Sequence, residues 1–144
     1  MHCQEIMSKN LTTVQMNASV QEVARLMADK DIGFVPIVDQ SGAAVGTVTD
    51  RDIAIRVVAK GLDPKSAKLN DFGGNEVVCC RPEEDVDRAR QLMQQNKVQR
   101  ILVCDAQKKP VGVISLQDLA QSESEGEVGQ TVRGVKQEGS TAHH

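Results

Sequence analysis

The chain repeats itself at an offset of 66 residues, and this repeat limits the folds open to it more than any other feature. The segment 46–53 falls on the segment 112–119, and the match runs without a gap from about residue 3 to residue 54. A unit of about 60 residues is marginal for burying a core alone, so we expect the two copies to share one. Identical pairs include Val20/Val86, Leu26/Leu92, Met27/Met93, Asp39/Asp105, Val45/Val111, Gly46/Gly112, Asp52/Asp118 and Ala54/Ala120.

Each copy carries the same short motif, in which a glycine is followed by a hydroxyl residue and, three residues later, by an aspartate. The hydroxyl and the carboxylate belong to Thr49 and Asp52 in the first copy, and to Ser115 and Asp118 in the second. A hydroxyl–carboxylate pair that occurs in both copies indicates two related binding sites and not one active site.

Charge and hydropathy exclude several classes of function. The 144 residues carry a net charge of −3, and acidic and basic residues are mixed along both copies. This pattern offers no electrostatic face for nucleic acid or for an anionic membrane. No apolar run approaches the ~20 residues of a membrane span, and the N-terminus lacks the basic and apolar regions of a secretory signal. We therefore expect a cytoplasmic protein without membrane or nucleic-acid partners.

The cysteines and histidines do not show the spacing of a zinc site or of a catalytic pair. Cys3, Cys79, Cys80 and Cys104 form no Cys-x-x-Cys motif, and every histidine lies at a terminus. We expect no metal and no catalytic residue, because a cysteine nucleophile would lack an internal histidine partner. The vicinal Cys79–Cys80 pair is either redox-active or simply two small, reduced strand residues, and the second interpretation is favoured.

The hydrophobic pattern of the first copy predicts the order strand–helix–strand–strand–helix. Strands are expected over residues 11–14, 35–38 and 45–48. The first helix follows a cap at Asn17 or Ser19, and the second begins after Thr49 and ends near Gly61. The apolar stripes of the two helices are Val20, Val23, Ala24 and Met27, and Ile53, Ala54, Val57 and Val58.

The second copy predicts the same order, followed by a polar tail. Strands are expected over residues 77–80, 101–104 and 111–114, with a helix opened by Arg81-Pro82 and a short helix after Ser115. Short lead-in helices are predicted at 5–7 and 65–71. From residue 122 the chain is polar and acidic, so we predict repeats over 1–62 and 63–121 and a disordered tail over 122–144.

The segment from Thr49 to Asp52 carries the chemistry of a nucleotide site. The start of a helix presents unpaired N–H groups to a phosphate, and Thr49 and Arg51 can bind the same group. The carboxylate of Asp52 suits the two hydroxyls of a ribose. Apolar walls for a purine are available at 13–14 and 35–36. The alternative is that threonine and aspartate only cap the helix, with no ligand at all.

The residues of this segment, with Gly33-Phe34-Val35-Pro36-Ile37-Val38-Asp39 before them, resemble the cystathionine-β-synthase (CBS) domain. Two copies in tandem resemble a CBS pair, or Bateman module, over about residues 3–121. The resemblance implies an α/β (α+β) fold in which two β-α-β-β-α repeats pack about a pseudo-two-fold axis. It also implies two clefts between the repeats that bind adenine nucleotides or S-adenosylmethionine as regulatory ligands.

Carried onto this sequence, the resemblance implies two unequal sites. In the first, Asp52 would bind ribose, Thr49 and Arg51 phosphate, and Thr12, Thr13, Val14, Val35 and Pro36 the base. The second would use Asp118, Ser115, Val78, Cys79, Cys80 and Ile101. There Gln117 replaces the arginine, and Arg100 or Arg81 is expected to restore positive charge. The first site is therefore predicted to be the better phosphate binder.

Three functions compete on this sequence. The leading prediction is a regulatory module without enzymatic activity that senses an adenosyl ligand and signals in trans to an effector protein. It would need no obligatory cofactor and would form a homodimer, as the resemblance implies. The alternative is a structural or protein-interaction module whose clefts have lost their ligands. A small enzyme is the least favoured, because every histidine lies at a terminus and because Asp52 and Asp118 lie in separate repeats, which does not suggest a paired-carboxylate mechanism.

Overall fold

The computed structural model describes residues 1–71 and 77–131, and the first repeat forms a three-stranded sheet within them. Its elements are β1 (Val14–Gln15), α2 (Val20–Lys30), β2 (Phe34–Val38), β3 (Ala44–Thr49) and α3 (Asp50–Ile53). A π-helical turn, Ala54–Val58, continues α3. Strand β1 pairs parallel with β2, and β2 pairs antiparallel with β3. The predicted α+β class and the strand–helix–strand–strand–helix order are confirmed.

The second repeat reproduces the first at the same offset. Its elements are β4 (Cys79–Cys80), α4 (Val86–Asn96), β5 (Arg100–Cys104), β6 (Pro110–Ser115) and α5 (Leu116–Thr131). The strand order is again edge–centre–edge, and both antiparallel pairs are irregular at the same place, between Ile37 and Val38 and between Val103 and Cys104. The two copies therefore share the pairing of their strands and its register as well as the sequence pattern.

The long helix of each repeat begins at a polar cap and ends in a left-handed residue. Ser19 accepts a hydrogen bond from the Glu22 amide at 3.1 Å, and Asp85 accepts one from the Asp87 amide at 2.9 Å. The helices end at Asp31 (φ 56°) and Lys97 (φ 55°). Such caps satisfy terminal N–H and C=O groups that the helix itself leaves unpaired.

The segment that precedes each repeat packs on the other repeat. Helix α1 (Cys3–Ile6) leads into the first repeat, yet Cys3 is buried in the core of the second. A 3₁₀ turn, Leu69–Asp71, leads into the second repeat, yet Leu69 is buried in the core of the first. The exchange ties the two repeats together, while the predicted boundary between residues 62 and 63 stays a prediction.

Three apolar clusters hold the molecule together. In each repeat, one face of the sheet packs against its helices, as Val35 and Ile37 do with α2 residues in the first. The opposite faces meet in a cluster of Ala44, Leu102 and Cys104, with Phe34, Val77 and Cys79 packed against it. Because this cluster draws on both sheets, the two repeats pack sheet against sheet.

Several local expectations are wrong. Strand β1 begins at Val14, so residues 11–13 precede it, and α4 begins at Val86 after a turn and not at Arg81-Pro82. In the helical segment after Thr49, Val57 is buried but Val58 is 69% exposed, because the π-helical turn rotates the apolar stripe. Helix α5 continues to Thr131, so the tail predicted from residue 122 begins inside a helix. Residues 132–144 of that tail lie outside the described residues.

Candidate functional site

Each repeated hydroxyl–carboxylate pair forms a reciprocal cap where a strand meets a helix. The hydroxyl of Thr49 accepts a hydrogen bond from the Asp52 amide at 3.0 Å, and the Asp52 carboxylate accepts one from the Thr49 amide at 2.9 Å. Ser115 and Asp118 make the same two bonds at 3.0 and 2.9 Å. Each carboxylate uses Oδ2 in this way. Within residues 1–71 and 77–131, neither Oδ1 of Asp52 nor the hydroxyl proton of Thr49 takes part in another hydrogen bond, so both are available to a ligand.

A cleft of about 770 Å³ lies beside the first of these caps. It opens between the repeats, because its walls come from β2, β3 and α3 of the first repeat and from Val78 and residues 97–100, at the starts of β4 and β5, of the second. A volume of this size lies within the ~300–1,000 Å³ typical of small-molecule sites. The lining residues are Phe34, Thr47, Thr49, Asp50, Arg51, Asp52, Val78, Lys97, Val98, Gln99 and Arg100.

The cleft gathers three exposed cations, Arg51, Lys97 and Arg100. None of the three forms a salt bridge with another residue in 1–71 or 77–131. Two carboxylates, Asp50 and Asp52, line the same cleft, which leaves it one positive charge in excess. Since two of the cations come from the second repeat, the positive charge depends on how the repeats pack.

The backbone at the start of α3 is less available to a ligand than the sequence suggested. The amides of Thr49, Arg51 and Asp52 already donate to the side chains of Asp52, Asp50 and Thr49. The Asp50 amide donates to the Gly33 carbonyl at 3.0 Å. The expectation that unpaired N–H groups here receive a phosphate is therefore wrong, and the side-chain cations are the available donors.

The structure brings together some of the predicted site residues and separates others. Thr49, Arg51 and Asp52 line one cleft together with Val78 and Arg100, two residues that the sequence analysis assigns to the second site. Val35 and Ile101 are at most 1% exposed and face the repeat cores, so their side chains cannot contact a base. The other predicted residues, outside this cleft lining, are Thr12, Thr13, Val14, Pro36, Cys79, Cys80, Ser115 and Asp118.

Six lining residues were missed by the sequence analysis. Five of them come from the opposite repeat or from strand positions that alternate toward the cleft, and predicting those requires knowledge of the packing. The sequence does contain a signal for two of these positions. Lys97 and Arg100 are cations that lie just before a predicted strand, in a chain whose repeats are expected to share a core. The missed residues are Phe34, Thr47, Asp50, Lys97, Val98 and Gln99.

The positions equivalent to this lining, at the offset of 66 residues, carry the opposite charge balance. Asp31 is at the position equivalent to Lys97, Gln117 at that of Arg51 and Leu116 at that of Asp50. One cation, Arg100, and two carboxylates, Asp31 and Asp118, occupy the set, which leaves one negative charge in excess. The full set is Thr12, Asp31, Ile32, Gly33, Phe34, Arg100, Val113, Ser115, Leu116, Gln117 and Asp118.

The Cys79 thiol follows Val78 of the cleft lining by one residue and packs against the cluster between the two sheets. A hydrogen bond with the Cys104 thiol, aided by the charge of Lys108, lowers the pKa of Cys79 to about 6 against the opposing effect of burial. The same hydrogen bond and burial raise the pKa of Cys104. Cys79 is therefore the more acidic of the two thiols, and Cys104 is the hydrogen-bond donor.

Comparison with known proteins identifies the family. The model of the CBS domain matches residues 3–59 and again 70–125. The chain belongs to the CBS domain family. CBS domain-containing protein YhcV of Bacillus subtilis (strain 168) is 35% identical over 123 residues, which cover 85% of this chain and 86% of YhcV. The predicted tandem of CBS domains is confirmed.

Solved structures of CBS proteins have the same fold. The CBS domain pair of protein MJ0100, in complex with 5′-methylthioadenosine and S-adenosyl-L-methionine, superposes with a TM-score of 0.78 at 25% identity, covering 88% of this chain and 98% of that one. Hypoxic Response Protein I with two coordinated zinc ions gives a TM-score of 0.76 at 26% identity, over 85% and 98% of the two chains. In residues 1–71 and 77–131 of the present chain, no three His, Cys, Asp or Glu side chains form a group that could hold a metal ion.

Some relatives are enzymes, but the chain matches only a part of them. Inosine-5′-monophosphate dehydrogenase of Methanocaldococcus jannaschii is 30% identical over 115 residues, which are 80% of this chain and 22% of the enzyme. No enzymatic role is shown for this chain by such a match. Within the part of the chain that the structure describes, no helix is both long enough and apolar enough to span a membrane.

Proposed function

We propose that the protein is a regulatory module that binds an adenine nucleotide in the cleft at Asp52 and signals its occupancy to an effector protein in trans. The observation that supports this most directly is the meeting of three unpaired cations with the free Oδ1 of Asp52 in one cleft of about 770 Å³. A carboxylate oxygen can accept from ribose hydroxyls, and the cations can bind phosphate.

The charge of the cleft favours an anionic ligand over S-adenosylmethionine. Arg51, Lys97 and Arg100 would each contribute a charge-assisted hydrogen bond to a phosphate chain. A sulfonium ligand would meet the same cations at a cost, since like charges repel. We therefore rank ATP and ADP above AMP, and AMP above S-adenosylmethionine, at this cleft.

The second set of positions favours a neutral or cationic adenosyl ligand. Its cap leaves Oδ1 of Asp118 available, as in the first cleft. Asp31 replaces the lysine, so the surroundings would attract a sulfonium and repel a phosphate. No obligatory cofactor is part of this proposal, because both ligands act as reversible regulators.

Isothermal titration calorimetry with ATP, ADP, AMP, S-adenosylmethionine and 5′-methylthioadenosine tests the proposal. We expect micromolar affinity for ATP and a weaker affinity as phosphates are removed, which would leave ample free energy for a typical allosteric coupling of about 1–3 kcal/mol. If every ligand binds only at millimolar concentration, the ligand-sensing function is contradicted.

A second function, self-association or interaction with another protein, is favoured by one exposed apolar row. Ile55 is 46% exposed, Val58 is 69% exposed and Leu62 is 51% exposed, all on or just after the π-helical turn. Exposed apolar groups that lie together often mark interfaces. We therefore propose a homodimer whose interface includes this row. In this second function the clefts bind no ligand.

Light scattering on a size-exclusion column tests the homodimer. The wild type should elute with twice the chain mass, and Val58→Glu should shift it to the monomer, because a buried unpaired carboxylate is costly. Gln95→Glu, which adds the same charge at an exposed position of α4, is the control. A monomeric wild type contradicts the homodimer and leaves the nucleotide site untouched.

A further inference from the structure

Two buried cysteines from distant parts of the chain meet beneath helix α1. Cys3 belongs to the exchanged N-terminal segment and Cys80 to strand β4, and their Sγ atoms are 3.5 Å apart. Cys3 is 0% exposed and Cys80 is 2% exposed. A disulfide requires cysteines whose side chains already point at each other, and this pair meets that condition across 77 residues of sequence.

Main-chain pairing fixes both residues, since Cys80 pairs with Val103 in the sheet and hydrogen bonds join the segment around Cys3 to residues 82–86. The Cys3 amide donates to the Glu84 carbonyl at 2.8 Å, and the Val86 amide donates to the Met1 carbonyl at 2.9 Å. The Cys3 thiol also donates to the Asp85 carbonyl at 3.7 Å. The approach of the two sulfur atoms is therefore set by paired main chain and not by one mobile side chain.

The first repeat fills the equivalent positions with hydrocarbon. Leu69 is equivalent to Cys3 and lies in the core of the first repeat, and Val14 is equivalent to Cys80 and packs, partly buried, against that core. The second repeat thus has thiols at two adjoining core positions where the same fold accepts apolar side chains. Packing alone does not require sulfur there.

We propose that Cys3 and Cys80 are a reversible dithiol site that exchanges with small disulfides such as oxidised glutathione and, when oxidised, attaches the exchanged N-terminal segment covalently to β4. The site lies apart from the cleft at Asp52, so it does not rest on nucleotide binding. Oxidation would fix α1 on the second repeat, and reduction would return the segment to its noncovalent contacts.

The exchange balances in two steps. The Cys3 thiolate, exposed when residues 1–7 open locally, attacks one sulfur of oxidised glutathione and expels one glutathione thiolate. The Cys80 thiolate then attacks the Cys3 sulfur and expels the second. Two electrons pass from the protein thiols to the glutathione disulfide, and the two protein protons end on the released glutathione molecules.

The surroundings make this site slow to react, which distinguishes it from Cys79. Burial raises the pKa of both Cys3 and Cys80, and the carboxylates of Glu84 and Asp85 add to that effect at Cys3. Exchange should therefore need local opening and should quicken as the pH rises. Once formed, the link closes a long loop and should raise Tm by about 5 °C or more.

Mass mapping of the full chain after incubation with oxidised glutathione tests the site. Trypsin should release residues 1–9 joined to residues 69–88, lighter by two hydrogens than the sum of the two, and a reductant should separate them. Because residues 69–88 contain both Cys79 and Cys80, variants decide between them. Cys80→Val, which copies the first repeat, should abolish the link and the rise in Tm, while Cys79→Ser and Cys104→Ser should keep both.

Three results would overturn the proposal. The first is a wild type that gains only glutathione adducts and no link to residues 1–9. The second is a link that survives Cys80→Val and disappears in Cys79→Ser. The third is a link between two chains, which a non-reducing gel would show as a doubled mass. Each of these leaves the binding of ATP to the wild type unaffected and measurable by calorimetry.

Discussion

The two repeats form the same cap between a strand and a helix but carry different charges around it. Thr49 with Asp52 and Ser115 with Asp118 form caps whose two hydrogen bonds measure 3.0 and 2.9 Å in both. The lining of the first cleft carries one excess positive charge, and the equivalent positions carry one excess negative charge. The caps follow from the strand-to-helix turn, whereas the charges follow from no demand of the fold. We therefore expect the charges of the lining, and not the repeated hydroxyl–carboxylate motif, to determine which ligand each repeat prefers.

Removing the cations of the first cleft should have the largest effect on the affinity for ATP. We expect Arg51→Gln, Lys97→Gln and Arg100→Gln together to weaken ATP binding about 100-fold, since a hydrogen bond to a charged group is worth about 1.5–3 kcal/mol before solvent screening reduces it. Calorimetry measures the affinity. The matched control neutralises Lys9, Lys30 and Lys65, which are exposed elsewhere. A loss shared equally by the control would indicate a general charge effect and contradict the site.

Transferring the charges should make the two sets of positions alike. Asp31→Lys with Gln117→Arg gives the second set the cations of the first, and Lys97 shows that lysine tolerates the left-handed backbone at that position, with φ 55°. We expect about a 10-fold gain in ATP affinity at the second site, seen as a second binding event in the titration. An unchanged stoichiometry would mean that the charges do not decide the ligand.

The reactivity of Cys79 should separate it from the other thiols. Because its pKa is lowered to about 6, the rate of alkylation by iodoacetamide should rise with pH through about 6 and level off above it. An ordinary thiol, with a pKa of 9.0, would go on gaining rate into the alkaline range. Cys104→Ala removes the hydrogen bond that lowers the pKa and should move the midpoint upward. A wild-type midpoint near 9 would contradict the interaction.

Much of the fold follows from periodicity and duplication alone. The helices α2 and α4, the two hairpins and the pairing of the repeats were predicted, because apolar stripes and turn residues recur at a constant offset. The exchange of α1 and Leu69 between repeats was not predicted, since no local pattern tells a lead-in segment which of two similar cores it joins. The length of α5 was underestimated because its polar surface, with Glu123 bound to Arg90 of α4, resembles a tail.

Only a part of the cleft lining can be identified from the sequence, again because local patterns do not show how the repeats pack. Thr49, Arg51 and Asp52 are contiguous in the sequence, so a short motif identifies them. Lys97 and Arg100 reach the same cleft only because the repeats pack face to face, which no spacing along the chain reveals. The side chains of Val35 and Ile101 face the helices because strand residues alternate between faces, so a contact of these residues with a base would have to use the main chain.

The most direct test of the central claim compares one carboxylate in each repeat. Asp52→Asn and Asp118→Asn make the same chemical change, and the amide oxygen of asparagine can still cap the helix, so both variants should keep their fold and Tm. Calorimetry with ATP should show a loss of about 10-fold or more for Asp52→Asn and little change for Asp118→Asn. Equal affinity in the two variants, or a larger loss for Asp118→Asn, would contradict the assignment of the nucleotide to the first cleft.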